Sequence, residues 1–289
     1  MKEGSIIESP VRERYVLNGQ LGTGATSDVY HALRSSDGVA VAIKFLRNGD
    51  YASRVRFQKE LWAYQEFQSS PYVVDLLDSD LSAHRPYLVL ELCQHGSARD
   101  NMGYLNSNHK VTIVLLTHLV AALDEIQRRG CIYRDLKPDN LLLARDATGN
   151  VFMKLGDAGL ICMPGEFGGF VATRAPAGTL PYMAPELFKG GARYTKEAEI
   201  FALGVTAHEL LSGVRPASGT FIAAGPYEVR DLITRMISAD PRQRPSIGDV
   251  RAALVEAHQS MNDRDQLLSA VFWGGLIALG IAALRKAGK

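Results

Sequence analysis

The first ninety residues of this chain are strand-rich with one helix and the remainder follows mainly helical spacing, which limits the folds open to it. DVYHAL from Asp28 to Leu33, the turn SSDG at Ser35 to Gly38, and VAVAIKFL from Val39 to Leu46 read as a β-hairpin. From Arg54 to Phe67 the spacing differs: Phe57, Leu61 and Tyr64 recur at i, i+4 and i+7, which predicts an amphipathic helix. VVDLLDSD and RPYLVLEL then supply two more strands. From Val111 to Gln127, Leu115, Leu119, Ala122, Leu123 and Ile126 return to helical spacing. A small β-rich lobe followed by a larger helical one is therefore expected, an α+β architecture. No repeat of 20 to 50 residues is visible, which excludes a solenoid or propeller.

With 289 residues, 46% of them hydrophobic, the chain has enough apolar surface for a large core. Lys+Arg 32 against Asp+Glu 31 leaves a formal charge of +1, so no overall attraction to nucleic acid is expected. Cys93, Cys131 and Cys162 lie far apart without a CxxC pair, which argues against a disulfide framework or zinc knuckle and for a reducing compartment. His118 and His208 show no metal spacing. MKEGSIIESP lacks the apolar core of a signal peptide, so export by that route is not expected.

Three stretches carry chemistry. LGTGATSDVY sets Gly22 and Gly24 two apart, with Ser27 where GxGxxG would place its third glycine. Because another strand follows, the loop reads as a phosphate cover on a β-hairpin rather than a dinucleotide turn; a plain hairpin turn is the alternative. VAIK ends in Lys44, and the following helix carries Glu60. An ammonium among apolar neighbours needs a counter-ion or an anionic ligand, whereas a surface lysine needs neither. CIYRDLKPDN brings Asp135, Lys137 and Asn140 within six residues, and MKLGDAGL adds Asp157. Such residues taken singly are turn formers. Together they offer what phosphoryl transfer requires: a carboxylate for a hydroxyl, a cation for the moving phosphoryl group, and oxygen ligands for magnesium.

GTGATS, VAIK, YRDLKPDN, DAG, APE and DPRQRPS occur in one order, and over Arg14 to Ala257 the chain resembles the eukaryotic-type (Hanks-type) serine/threonine protein kinases. The resemblance implies the bilobal kinase fold, ATP and Mg2+ as cofactors, and proteins with Ser/Thr hydroxyls as substrates. It also implies that Lys44 holds the nucleotide phosphates and pairs with Glu60, with Gly22 and Gly24 folded over them. Asp135 would orient the substrate hydroxyl, Lys137 would steady the γ-phosphate, and Asn140 with Asp157 would bind the metal. Glu91, Leu92 and Cys93 match the hinge whose backbone binds adenine, with Leu90 at the back of the pocket. Glu186 and Arg244 match a buried ion pair beneath the substrate platform, and LKPDN suits the serine/threonine branch. Arg134 matches kinases whose activation segment is ordered by a phosphate, and Thr173 is the candidate acceptor, Thr179 matching the platform threonine.

The departures bear on regulation. Tyr133 stands where histidine is commonest, Ala158 where phenylalanine is usual, and Glu199 where an aspartate is usual. Tyr133 and Tyr64 are large enough to fill part of the space that Ala158 leaves. A pseudokinase scaffold is the alternative function, and it would require a missing catalytic group. A small-molecule kinase is a further one, set against by the complete AGTLPYMAPE.

Leu267 to Leu284, LLSAVFWGGLIALGIAAL, runs eighteen positions without a charge and would span roughly 27 Å as a helix. A C-terminal transmembrane helix is expected, preceded by a polar linker over His258 to Gln266, with the kinase domain facing the cytoplasm. A buried helix of the soluble domain is the alternative. Gly274, Ala278 and Ala282 share a stripe that would permit a homodimer in the membrane.

Overall fold

The computed structural model describes residues 2–24, 26–145, 149–161, 179–189, 193–216 and 226–264. Six antiparallel strands form the small lobe: β1 Ile6–Glu8, β2 Arg14–Thr23, β3 Ser27–Arg34, β4 Ala40–Leu46, β5 Leu76–Asp80 and β6 Tyr87–Glu91. Their order across the sheet is β1-β2-β3-β4-β6-β5. The two faces follow from the period-two alternation. Val41, Ile43 and Phe45 of β4 pack with Tyr87 and Val89 of β6 on one side. Leu46, Leu88 and Leu90 join the larger core on the other. Lys44 alternates with Ile43 and Phe45 and so lies on the second face, opposite Leu88 in register.

The helix α1, Tyr51–Glu66, links β4 to β5. Asp50 starts it by accepting the Ser53 amide at 2.9 Å, which satisfies one of the unpaired donors of the first turn. Phe57, Glu60 and Tyr64 are buried along one stripe.

The large lobe comprises α2 Met102–Ser107, α3 His109–Arg128, the hairpin of β7 Leu141–Arg145 and β8 Val151–Leu155, α4 Lys196–Ser212 and α5 Tyr227–Met236. A further helix, α6, covers 247–264. Every residue of α4 from Ala198 to Leu211 except Phe201 is buried, as befits a helix apolar on nearly all sides. Its packing on α5 depends on Gly204, where a Cβ would meet Met236 and Ile237 side-chain atoms at 2.8 Å. Gly213 ends the helix in the left-handed conformation at φ 72°, returning its amide to Glu209.

Two elements differ from the sequence reading. β1 extends the sheet beyond the expected start at Arg14 by pairing Ile6 with Val16 and Glu8 with Arg14. Residues 258–264, expected as linker, are helical instead. Met261 is buried, Lys110 donates to Asn262 at 3.0 Å, and Arg264 pairs with Glu228 at 2.8 Å, so tertiary contacts hold these turns on the domain. Among the described residues no helix is long and apolar enough to cross a membrane. The segment Leu267 to Leu284, its small-residue stripe, Thr173 and Cys162 all lie outside the described residues.

Candidate active site

Two clusters of charged side chains face each other where the lobes meet. In the first, Lys44 Nζ contacts Glu60 Oε1 at 2.5 Å and Asp157 Oδ1 at 3.1 Å. Burial acts to lower the Lys44 pKa, but the Asp157 and Glu60 carboxylates outweigh it, so the ammonium is held charged. The same Lys44 charge holds the Asp157 carboxyl below the ordinary aspartate range, against the opposing effect of burial. The strand and the helix bring Lys44 and Glu60 together from sixteen residues apart.

The second cluster is the loop after α3. Lys137 Nζ donates to Asp135 Oδ2 at 2.9 Å and to Thr179 Oγ1 at 2.8 Å, and Thr179 donates to Asp135 Oδ1 at 2.8 Å. Asn140 Nδ2 donates to the Asp135 carbonyl at 2.8 Å and to its Oδ2 at 2.9 Å. Those bonds occupy the donors of the Asn140 amide and leave Oδ1, an acceptor, for a cation. The Gly156 amide donates to the Asn140 carbonyl at 2.9 Å, which joins the two clusters and brings Asp157 alongside Asn140.

Asparagine and aspartate oxygens from two loops form a small, hard donor set. Magnesium, which keeps several waters and takes further ligands from phosphate, fits such a set; among the described residues no group of three or more His, Cys, Asp or Glu could hold a metal by itself. Above them, Gly22 pairs with Val29 and Val29 with Lys44, so the glycine hairpin sits two strands from the ammonium. Nothing lies within 4 Å of a Cβ built at Gly22, and the Gly24 amide closes the turn on Ser27 at 2.8 Å. The open side of this hairpin leaves room for phosphate oxygens to approach backbone amides.

The side chains of Glu91 and Cys93 are engaged elsewhere. Glu91 accepts the Asp75 amide at 2.8 Å and pairs with the buried Lys154, which also reaches Asp75 at 3.3 Å. The Cys93 thiol is buried and pushed up to about 12, mainly by desolvation. What these two positions offer a nucleotide is therefore backbone.

Support for the loop after α3 comes from α4. Glu199 accepts the Tyr133 amide at 2.6 Å, the Arg134 amide at 3.4 Å and Gln127 Nε2 at 2.8 Å. The glutamate thus anchors the loop through three donors, and burial raises its pKa. Arg134 sits at φ 74°, and its Nε and Nη2 are buried with no hydrogen-bond partner among the described residues. Below the platform, Arg244 Nη1 and Nη2 reach Glu186 at 2.6 and 2.8 Å.

Three supporting residues escaped the sequence reading. Asp28 pairs with Arg47 at 2.5 Å and with Arg85, and it accepts from Thr23 at 3.1 Å, fixing the base of the glycine hairpin. Its carboxyl is lowered to about 2, chiefly by Arg47. Arg99 ties Glu209 at 2.7 Å to Tyr182 at 2.7 Å beneath the segment after Thr179. Lys154 behind the hinge is the third. Their charged partners lie 19 to 110 residues away, and only the alternation around each position was visible.

Comparison with known proteins adds an independent line. The protein kinase domain model matches residues 15–256. Sperm motility kinase 2B of Mus musculus is 28% identical over 258 residues, covering 82% of this chain and 50% of that protein. CBL-interacting protein kinase 22 of Oryza sativa subsp. japonica is 30% identical over 277 residues, covering 82% and 60%. The probable serine/threonine-protein kinase PknB of Lactococcus lactis is 27% identical over 270 residues, covering 90% and 42%. The chain thus spans about half the length of these relatives.

Proposed function

Because the chain belongs to the protein kinase domain family, we propose that it transfers the γ-phosphoryl group of ATP to serine or threonine hydroxyls of proteins while tethered to a membrane by Leu267 to Leu284. The observation that carries the catalytic part is the bond from Gly156 to Asn140, which brings the Lys44–Glu60–Asp157 cluster beside the Asp135–Lys137–Asn140 cluster. Relatives named serine/threonine kinases support the choice of hydroxyl.

In this reading Asp135, held by Asn140 and Thr179, accepts a hydrogen bond from the substrate hydroxyl and aligns it for attack. Lys137 lies 2.9 Å from that carboxylate and faces the incoming phosphoryl oxygens. Lys44, kept charged by its two carboxylates, binds the non-transferred phosphates. Asp157 and Asn140 Oδ1 hold magnesium, which when bound neutralises phosphate charge. Glu91 and Cys93 present backbone to the adenine. The Arg134 nitrogens that find no partner among the described residues would be satisfied by a phosphate on Thr173.

The tether rests on the sequence: eighteen uncharged residues with no polar face have no reason to lie flat at an interface. One experiment tests both parts. Carbonate-washed membranes carrying the full chain, given ATP labelled at the γ-phosphate, should place label on serine and threonine of an acceptor protein and on Thr173 of the chain. A chain ending at Gln266 should be active in the supernatant. Label on tyrosine alone would contradict the chosen branch, an unlabelled Thr173 in fully active chain would contradict its role, and a full chain that washes off would contradict the tether.

A further inference from the structure

The helix α6 runs on where a free connection was expected, and its last turns are fixed to the domain by three sets of contacts. Leu254, Ala257 and Met261, at helical spacing, are buried in the main core. Asn262 accepts from Lys110 Nζ of α3 at 3.0 Å and contacts His258, one turn back, at 3.1 Å. Arg264 Nη1 reaches Glu228 Oε1 of α5 at 2.8 Å, and its guanidinium lies 5.4 Å from the ring centroid of Tyr227. The Glu228 side chain is only 5% exposed, so this pair is screened less than one lying free on the surface.

That fixed end stands very near, along the chain, to the uncharged segment beginning at Leu267. Only Asp265 and Gln266 separate Arg264 from Leu267. Such a connection reaches at most about 11 Å, against roughly 30 Å for a free linker over His258 to Gln266. The headgroup layer on each side of a bilayer is about 5 to 7 Å thick. With Leu267 at the hydrocarbon boundary, the end of α6 therefore stands on the headgroups. The surface around it suits that place. Tyr227, under the Arg264 guanidinium, is 64% exposed. Tyr104 is 54% exposed and lines a cavity with Lys110 and His258, so the two tyrosines flank the end of the helix. A phenol combines an apolar ring with a polar tip, the combination enriched where membrane meets water. Lys110 and Arg264 are balanced by Glu228 and Asp263, so this face calls for ring contact rather than for anionic lipid.

We propose that α6 is a rigid post that seats the large lobe on a lipid bilayer in one orientation, with Tyr104 and Tyr227 in the headgroup layer. The inference rests on the membrane tether proposed above and is independent of phosphoryl transfer. The test uses the full chain in phosphatidylcholine vesicles whose acyl chains are brominated close to the headgroups. Emission from Trp62 and Trp273 is subtracted with the wild type. The emission that Tyr227→Trp or Tyr104→Trp adds should fall by roughly half, because the ring lies in the layer that the bromines border. Tyr51→Trp, at a site 84% exposed at the start of α1 in the small lobe, should keep its emission. About twenty Gly/Ser residues inserted between Gln266 and Leu267, with a mean reach of roughly 25 Å, should abolish the quenching in Tyr227→Trp and leave the chain in the carbonate-washed pellet. Several results would overturn the seat and leave the tether standing: a pelleted chain unquenched in Tyr227→Trp or Tyr104→Trp, equal quenching in Tyr51→Trp, or equal quenching with and without the insertion. A full chain that washes off would overturn both.

Discussion

Replacing Asp157 by asparagine is expected to lower kcat at saturating nucleotide by roughly a thousandfold, with the chain still folded. In the proposed function the carboxylate would be the charged member of the two-residue donor set for magnesium, and such a metal contributes several kcal/mol of charge stabilisation in the transition state. Asparagine is the informative substitution because it tolerates the left-handed backbone at φ 40°, where alanine would add strain of its own. Lys44 keeps its 2.5 Å contact with Glu60, so the small lobe retains its internal ion pair. Steady-state rates beside a thermal melt check this; near-wild-type turnover in a folded Asp157→Asn would remove the metal assignment.

Arg244→Ala should cause the largest loss of stability. Its guanidinium is fully buried, makes two bonds to Glu186, and also donates to the carbonyls of Glu197 and Ser238 at 2.9 Å. Its plane also lies 5.0 Å from the Phe201 ring centroid. Removal leaves a partly buried carboxylate without its ion-pair partner and takes one donor from each of two carbonyls, a loss of about 3 to 5 kcal/mol. For a domain of this size that corresponds to a fall of roughly 10 °C in melting temperature. Arg244→Lys should recover little, because an ammonium cannot reproduce the paired contact with Glu186. A melt within about 2 °C of wild type for Arg244→Ala would contradict this account of the platform.

Much of the architecture was legible because local pattern and tertiary need agree. The alternation that put Lys44 opposite Ile43 and Phe45 is the same alternation that turns it toward Glu60. The spacing of Phe57, Leu61 and Tyr64 places α1, and its boundaries follow within three residues. Other features were hidden for definite reasons. β1 is three residues long and is stabilised by its pairing with β2, which no local pattern announces. Residues 258–264 are polar enough to read as linker, yet Leu254, Ala257 and Met261 carry a helical stripe across the boundary, so the signal was present. Asp28 sits in an alternating strand like any edge residue, and its partners Arg47 and Arg85 arrive from 19 and 57 positions away. The hydroxyl of Tyr133 was legible as volume only. Its contact with the Gly156 carbonyl just before Asp157 requires the fold.

Transfer of labelled γ-phosphate by the wild-type chain and by Asp135→Asn, measured side by side under saturating magnesium and ATP, tests the central claim most directly. Asparagine keeps the shape that Asn140 and Thr179 surround but cannot hold a substrate hydroxyl as the carboxylate does. The account predicts robust labelling by wild type and a rate lower by roughly a thousandfold in Asp135→Asn, at equal nucleotide affinity. Equal rates from the two proteins, or no transfer by a wild type that binds ATP, would contradict it.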